Sequence, residues 1–309
     1  VTAPEAPRDA PRVIWSWALY DWANSAFTTL VVTFIYSTWF SKAMAPDEVT
    51  GTAWWSRAVA VSAVLTALAS PILGAAADRA GARKAFLAVS TGVCIAATTL
   101  LAFIPPSLGH AAMLALVVYV VADFCFESGY TFYNAFLPVI ASPERLGRIS
   151  GYGWGLGYVG GLACLALALL GFVRDDPWLG LPTAEGFHVR ATNLLVAAWY
   201  LVFALPLFLF VPERRAGPVR FEPVAALREV LRTLSAIGRY REVAKFLVAR
   251  LVFNDGLVTV FAFGGIYAAG TFGMSLSDVI LFGIALNVAS GLGAAGFGFM
   301  DDRLGGKTT

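Results

Sequence analysis

Long apolar runs alternate with short polar breaks along almost the whole chain. The runs 13–40, 53–77, 85–104, 111–140, 149–172, 191–211, 243–269 and 276–300 each reach about 20 residues, the length an α-helix needs to cross a bilayer. This pattern predicts an all-α, polytopic membrane protein. Two stretches depart from it. Residues 1–12, mostly Pro, Ala and charge, read as a tail without the apolar stretch of a cleavable signal. Residues 212–242 are rich in arginine, and Phe221, Val224, Leu227, Val230, Leu231, Leu234 and Ile237 recur at helical spacing, which predicts an amphipathic helix lying on the membrane surface. That helix divides the chain into a six-helix bundle, 13–211, and the first two helices of a second bundle, 243–309.

The break after the second run reads Gly74-Ala-Ala-Ala-Asp78-Arg79-Ala-Gly81-Ala-Arg83-Lys84, and the chain repeats it in register after the eighth run, with Gly298, Asp302, Arg303, Gly305 and Lys307. Such a repeat implies two related bundles. Asp78 and Asp302 fall at a water interface, where each carboxylate can pair with a base or cap the start of another helix. Gly74 and Gly298 allow a neighbouring helix to come close, and Gly81 and Gly305 permit a tight turn. Arg79, Arg83, Lys84, Arg303 and Lys307 mark the cytoplasmic side. With the N-terminus inside, the tail, both hinges, the 142–148 loop and the 212–245 stretch carry nearly all the bases. Only Lys42, Arg57, Arg174 and Arg190 then fall outside, with Arg250 inside a span.

The hinge resembles the signature loop between the second and third helices of each half of the major facilitator superfamily. Further stretches sharpen the resemblance: Tyr20-Asp21-Trp22-Ala23-Asn24-Ser25-Ala26, Tyr133-Asn134-Ala-Phe-Leu-Pro138, Gly147-Arg148-Ile-Ser150-Gly151-Tyr-Gly153 with Gly157 and Tyr158, and Asn254-Asp255-Gly256. Together they are similar to the branch of the fungal vacuolar, autophagy-related effluxer and its bacterial "unknown major facilitator" relatives. The resemblance implies twelve helices, of which these are the first eight, so the chain reads as a fragment. It also implies secondary transport by alternating access of a small solute, amino acids being the cargo on the fungal side, driven by H+ or Na+ and carried out by a monomer without cofactor. Drug–proton antiport is not implied: Asp123 and Glu127 occupy the fourth span where drug exporters carry an arginine, and the fifth lacks the antiporter proline.

Composition agrees with a membrane protein: 58 % of residues are hydrophobic, 14 % are charged, and the mean hydropathy is +0.72. A net charge of +2, with most bases in the breaks between apolar runs, excludes a nucleic-acid footprint. Cys94, Cys125 and Cys164 lie inside predicted spans and His110 and His188 in separate loops, which offers no metal site. A membrane-embedded enzyme finds no Ser/His/Asp set, His-Glu-x-x-His run or phosphate loop. A transport-inactive scaffold or sensor, or a lipid transporter of the same fold, remains an alternative. The excess of arginine over lysine points to a GC-rich bacterium and hence a cytoplasmic membrane.

An ionised side chain at the bilayer centre costs about 2.5 to 3.5 kcal/mol, so each needs a cavity or a partner. Asp21, Trp22 and Asn24 in the first span, Asn254 and Asp255 in the seventh and Asn287 in the eighth all fall in the middle third, where facilitators bind cargo. Asp123, Glu127, Tyr130 and Asn134 follow i, i+4, i+7, i+11 and form one polar stripe on the fourth span. The stripe either lines a cavity or buries a structural ion pair; Asp123 or Glu127 would couple the ion. Asp21 with Asn24 either faces cargo or clamps onto helix five or seven. Gly153, Gly157 and Gly161 give small-x-x-x-small packing, or a surface that slides during transport.

Overall fold

The computed structural model describes residues 8–174, 176–213, 223–272, 276–306 and 308–309, which are helices and their connections. Helix α1, Pro11–Ala26, starts with proline in its first turn, where the missing N–H costs nothing. It runs into a π-helical segment, Phe27–Phe34, and then α2, Tyr36–Ala43. The first predicted span is therefore not one regular helix. The run Thr28-Thr29-Leu30-Val31-Val32-Thr33 is crowded with β-branched residues that fit an α-helix poorly. The wider turn shows in i→i−5 bonds, Thr33 Oγ1 to the Thr28 carbonyl at 2.9 Å and Ile35 N–H to the Leu30 carbonyl at 3.0 Å.

Helix α3, Glu48–Ala80, is bounded by Asp47, whose side chain accepts the Thr50 N–H at 2.9 Å, and by Gly81 at φ 58°. Helix α4 is Arg83–Leu101 and α5 is Ala111–Asn134. Here the predicted 111–140 helix is interrupted: the chain turns at Ala135-Phe136 before α6, Leu137–Ile140. Pro138 lacks the N–H that would continue the ladder, and Val139 N–H bonds back to Phe136 at 2.9 Å, so the Ala135 carbonyl is left for another donor. Helix α7, Leu146–Gly171, follows, then short turns, α8, Phe187–Arg190, and α9, Thr192–Phe210.

Five of the described helices or helix pairs, Glu48–Ala80, Arg83–Leu101, Ala111–Ile140, Pro143–Gly171 and Ala184–Phe210, are long and apolar enough to cross a membrane. Their outer faces carry exposed Val64, Leu68, Val89, Val117, Leu170 and Leu209, as lipid-facing surfaces do.

Helix α1 lies between α7 and α9, and aromatic side chains fill the core around it. Trp17 stacks on Tyr133 at 4.6 Å and donates its indole N–H to the Tyr133 carbonyl at 3.2 Å. The Tyr20 hydroxyl meets Thr91 Oγ1 at 2.7 Å and the Tyr200 hydroxyl at 2.8 Å, joining α1, α4 and α9.

The linker helix is α10, Pro223–Ser235, and it packs against α3. Of the residues predicted on its apolar face, Phe221 lies outside the described residues. A short turn, Ile237–Tyr240, leads directly into α11, Arg241–Phe272, and then α12, Leu276–Leu304. Helix α12 packs mainly on α7.

Candidate transport site and hinge contacts

Asp21 and Asn24 are buried, at 5 % and 3 % exposure, and Asn24 Nδ2 approaches Asp21 Oδ1 at 3.5 Å. Asp21 faces the glycine side of α7. A methyl group at Gly153 would lie 2.8 Å from Asp21 Oδ2 and 3.0 Å from the Trp17 ring, one at Gly157 2.8 Å from Ser25 Oγ, and one at Gly161 2.5 Å from Thr29 Oγ1. Only residues without a Cβ let α1 come this close, so the structure seats Asp21 and Asn24 in a helix–helix contact. Trp22 lies between α7 and α9: a methyl group at Gly160 would lie 2.9 Å from its ring, the ring stacks on Trp199 at 5.6 Å, and its carbonyl accepts the Trp199 indole N–H at 3.1 Å.

The polar stripe of α5 divides. Asp123 is buried beside Tyr119 and Ser62 of α3, whereas Glu127 and Asn134 are exposed and Tyr130 is half-buried. Asn134 Nδ2 donates to the Tyr130 carbonyl at 3.0 Å, and Tyr130 meets Trp154 of α7 edge-on at 6.5 Å. Asn254 and Asp255 are exposed on α11, with Asn254 Oδ1 3.5 Å from Arg250, and Asn287 is half-buried on α12. Helix α11 packs mainly on α12 and the preceding turn, and α5 on α4 and α3. Among the described residues, Asp21 beside α7 and Asp123 beside Ser62 of α3 thus sit in different helix–helix contacts.

The two hinges share a sequence but have different partners. In the first, the Arg83 guanidinium donates to Asp78 at 2.6 Å and to the Ala135 carbonyl at 3.3 Å, the group freed by the break before Pro138. Lys84 donates its backbone N–H to Glu213 at 2.6 Å and its ammonium to the Val211 carbonyl at 2.7 Å. This hinge ties together the ends of α4, α5 and α9. Among the described residues, nothing lies within 4 Å of a methyl placed at Gly74.

In the second hinge, Asp302 has a side chain only 3 % exposed. Its carboxylate accepts the Arg148 backbone N–H at 3.1 Å and Arg148 Nε at 3.0 Å. Arg148 is the third residue of α7, so Asp302 caps another helix's N-terminus with a charge of the sign its dipole favours. Gly298 lies where a methyl group would sit 2.7 Å from the Gly147 carbonyl, and Arg148 covers Phe299 at 4.9 Å. Gly305 adopts φ 79°, Arg303 is exposed, and Lys307 lies outside the described residues. An open groove of about 530 Å³ borders this contact, lined by Leu137, Pro138, Trp154, Phe297 and Asp301.

Sequence reasoning did not single out Arg148 or Asp9 as functional. Asp9, at φ 63°, donates its N–H to the Ile140 carbonyl at 2.9 Å and accepts the Ser142 N–H at 3.1 Å, with Arg145 at 3.9 Å. The tail thus fastens the loop that starts α7. The quoted Gly147-Arg148 pair was the available signal for Arg148; nothing in the tail's composition marks Asp9.

The family model described as "Vacuole effluxer Atg22 like" matches residues 41–309. The chain belongs to that family. Over 301 residues it is 28 % identical to an uncharacterized MFS-type transporter, YxiO, of Bacillus subtilis, covering 95 % of this chain and 68 % of that protein. It is 25 % identical to autophagy-related protein 22-1 of Penicillium rubens, covering 50 % of this chain and only 27 % of the fungal one. Among solved structures it resembles the proton:xylose symporter XylE bound to 6-bromo-6-deoxy-D-glucose, with a TM-score of 0.65, 13 % identity, and coverage of 94 % of this chain and 69 % of that one. The family member is thus a multi-pass, all-α membrane protein with the major facilitator fold and an MFS-type transporter, not an enzyme.

Proposed function

We propose that this family member is a secondary active transporter that moves a small solute, amino acids among the candidates, across the cytoplasmic membrane. It works by alternating access, with the N-terminus and both hinges on the cytoplasmic side. The Arg148–Asp302 contact carries this reading, because it joins the first hydrophobic bundle to the hinge of the second through a carboxylate that is almost fully covered. In this reading the contact is the cytoplasmic gate: it is made when the site opens outward and broken when it opens inward. Asp78 and Arg83 of the first hinge instead brace the ends of their own bundle.

We assign the cavity face to Glu127, Tyr130 and Asn134, with Asp123 behind them and Asn254, Asp255 and Asn287 on the opposing helices. Asp21 and Asn24 hold α1 onto α7, and Trp22 packs against α9. Glu127 or Asp123 couples transport to H+ or Na+, and the unit is a monomer.

The test is flux of an amino-acid panel by the full-length protein in liposomes at two pH values, with Asp21→Asn, Asp123→Asn, Glu127→Gln and Asp255→Asn measured singly. Loss of flux in Glu127→Gln or Asp123→Asn supports the assignment. Unaltered flux in all four variants refutes the site, and no flux from the full-length protein refutes transport in favour of a scaffold.

A further inference from the structure

Helix α10 presents two different faces. The helix packs on α3; Ala225 and Val230 are partly buried, whereas Val224, Leu227 and Leu231 are 69 %, 41 % and 56 % exposed. At i, i+3 and i+7 these three residues form one stripe, and on a helix of 3.6 residues per turn Ala225 and Val230 lie to either side of it, about 130° and 90° round the helix. The exposed Arg228 and Arg232 follow Leu227 and Leu231 by one position each and flank that stripe along one edge. Over 223–245 the bases Arg228, Arg232, Arg239, Arg241 and Lys245 outnumber Glu229 and Glu242. The helix rests on a membrane-crossing helix, and the chain leading into it is anchored where Glu213 bonds Lys84 at the end of α3 and start of α4. The stripe is therefore held within reach of the bilayer.

An apolar stripe edged by arginines matches a lipid interface, where the apolar side chains enter the acyl boundary while long basic side chains reach up to the phosphates. A protein partner for the apolar face would not account for the row of arginines beside it. We propose that α10 is an anionic-lipid site: Val224, Leu227 and Leu231 enter the bilayer interface, and Arg228 and Arg232 hold the headgroup phosphates of acidic phospholipids. This rests on the chain being a membrane protein and not on its transport activity or direction.

The experiment places a nitroxide on Leu231→Cys, in full-length protein with Cys94, Cys125 and Cys164 replaced, in nanodiscs of phosphatidylcholine with and without phosphatidylglycerol. Phosphatidylglycerol retained by the purified protein is counted in parallel by native mass spectrometry. The expected result is a label more accessible to oxygen than to a water-soluble nickel chelate, more strongly so with phosphatidylglycerol. Arg228→Gln with Arg232→Gln should retain phosphatidylglycerol about thirtyfold more weakly, since each surface base contributes about fivefold. Three results overturn the proposal: a label accessible to the nickel chelate in both discs, a label shielded from both reagents as under protein, or unchanged lipid retention in the double variant.

Discussion

Asp302 is the residue whose loss should be felt most at the second hinge. Its carboxylate, 3 % exposed, accepts one backbone and one guanidinium hydrogen bond from Arg148. A hydrogen bond to a charged group contributes about 1.5 to 3 kcal/mol and a helix N-cap about 1 kcal/mol. Arg148 keeps 30 % exposure, so water compensates part of its loss. Asp302→Ala should therefore weaken the α7–α12 contact by about 2 to 4 kcal/mol, which is about 30- to 1,000-fold in the equilibrium between closed and open hinge. Asp302→Asn keeps an acceptor for the Arg148 N–H and should lose about half of that free energy.

Hydrogen–deuterium exchange in nanodiscs reads this directly, because the Arg148 amide is one of the donors. Protection at the start of α7 should fall in the order wild type, Asp302→Asn, Asp302→Ala, while peptides from the α1–α9 contact stay unchanged. Asp78→Ala, at the equivalent position of the first hinge, should leave the start of α7 protected. Equal protection in wild type and Asp302→Ala would refute the reasoning.

Other sites test the remaining contacts. Gly153→Ala puts a methyl group 2.8 Å from Asp21 Oδ2 and 3.0 Å from Trp17, and should cost about 1 to 3 kcal/mol, read as a lowered Tm in detergent. Pro138→Ala supplies an N–H whose ladder acceptor is the Asn134 carbonyl; as the helix runs on, Val139 N–H shifts from Phe136 to the Ala135 carbonyl and Arg83 keeps only Asp78, so Arg83→Ala should destabilise less in that background than in the wild type. Asp9 sits below its ordinary value of 3.8: partial burial pushes it up, but the Ser142 hydrogen bonds and the charges of Arg145 and Arg8 outweigh this. A lowered carboxylate stabilises above its unfolded value and loses that contribution as pH falls through the folded one. Limited proteolysis of the tail should therefore distinguish Asp9→Asn from wild type at neutral pH, and the difference should vanish as pH falls through the lowered folded value of Asp9.

Periodicity made most of the helices legible, because bilayer-crossing segments must be long and continuously apolar. It could not locate breaks. The turn before Pro138 and the π segment at Phe27–Phe34 were written in the sequence as a proline and a run of β-branched residues, yet whether such features bend a span depends on what neighbours accept the freed groups. Arg83 is that neighbour for Ala135, some fifty positions away in the chain.

The hinge repeat was legible as a pattern and as two possible roles for its aspartate, pairing or capping. The choice was not legible. Asp78 pairs with Arg83 five residues on, while Asp302 crosses to α7, because a partner's position is a property of the fold and not of the motif. Likewise the burial of Asp21 depends on which helix carries the matching glycines, and Gly153 and Gly157 supply the space only when α7 runs alongside α1.

The hydroxyl chain Thr91–Tyr20–Tyr200 sets the mechanical character of the first bundle. Its bonds of 2.7 and 2.8 Å are short and directional, and sliding one helix by a single residue displaces it about 1.5 Å, enough to break both. Helices α1, α4 and α9 are thereby pinned in axial register, like staves held by one rivet. A shape change in this molecule must therefore leave that trio intact as a solid block and take place at its borders.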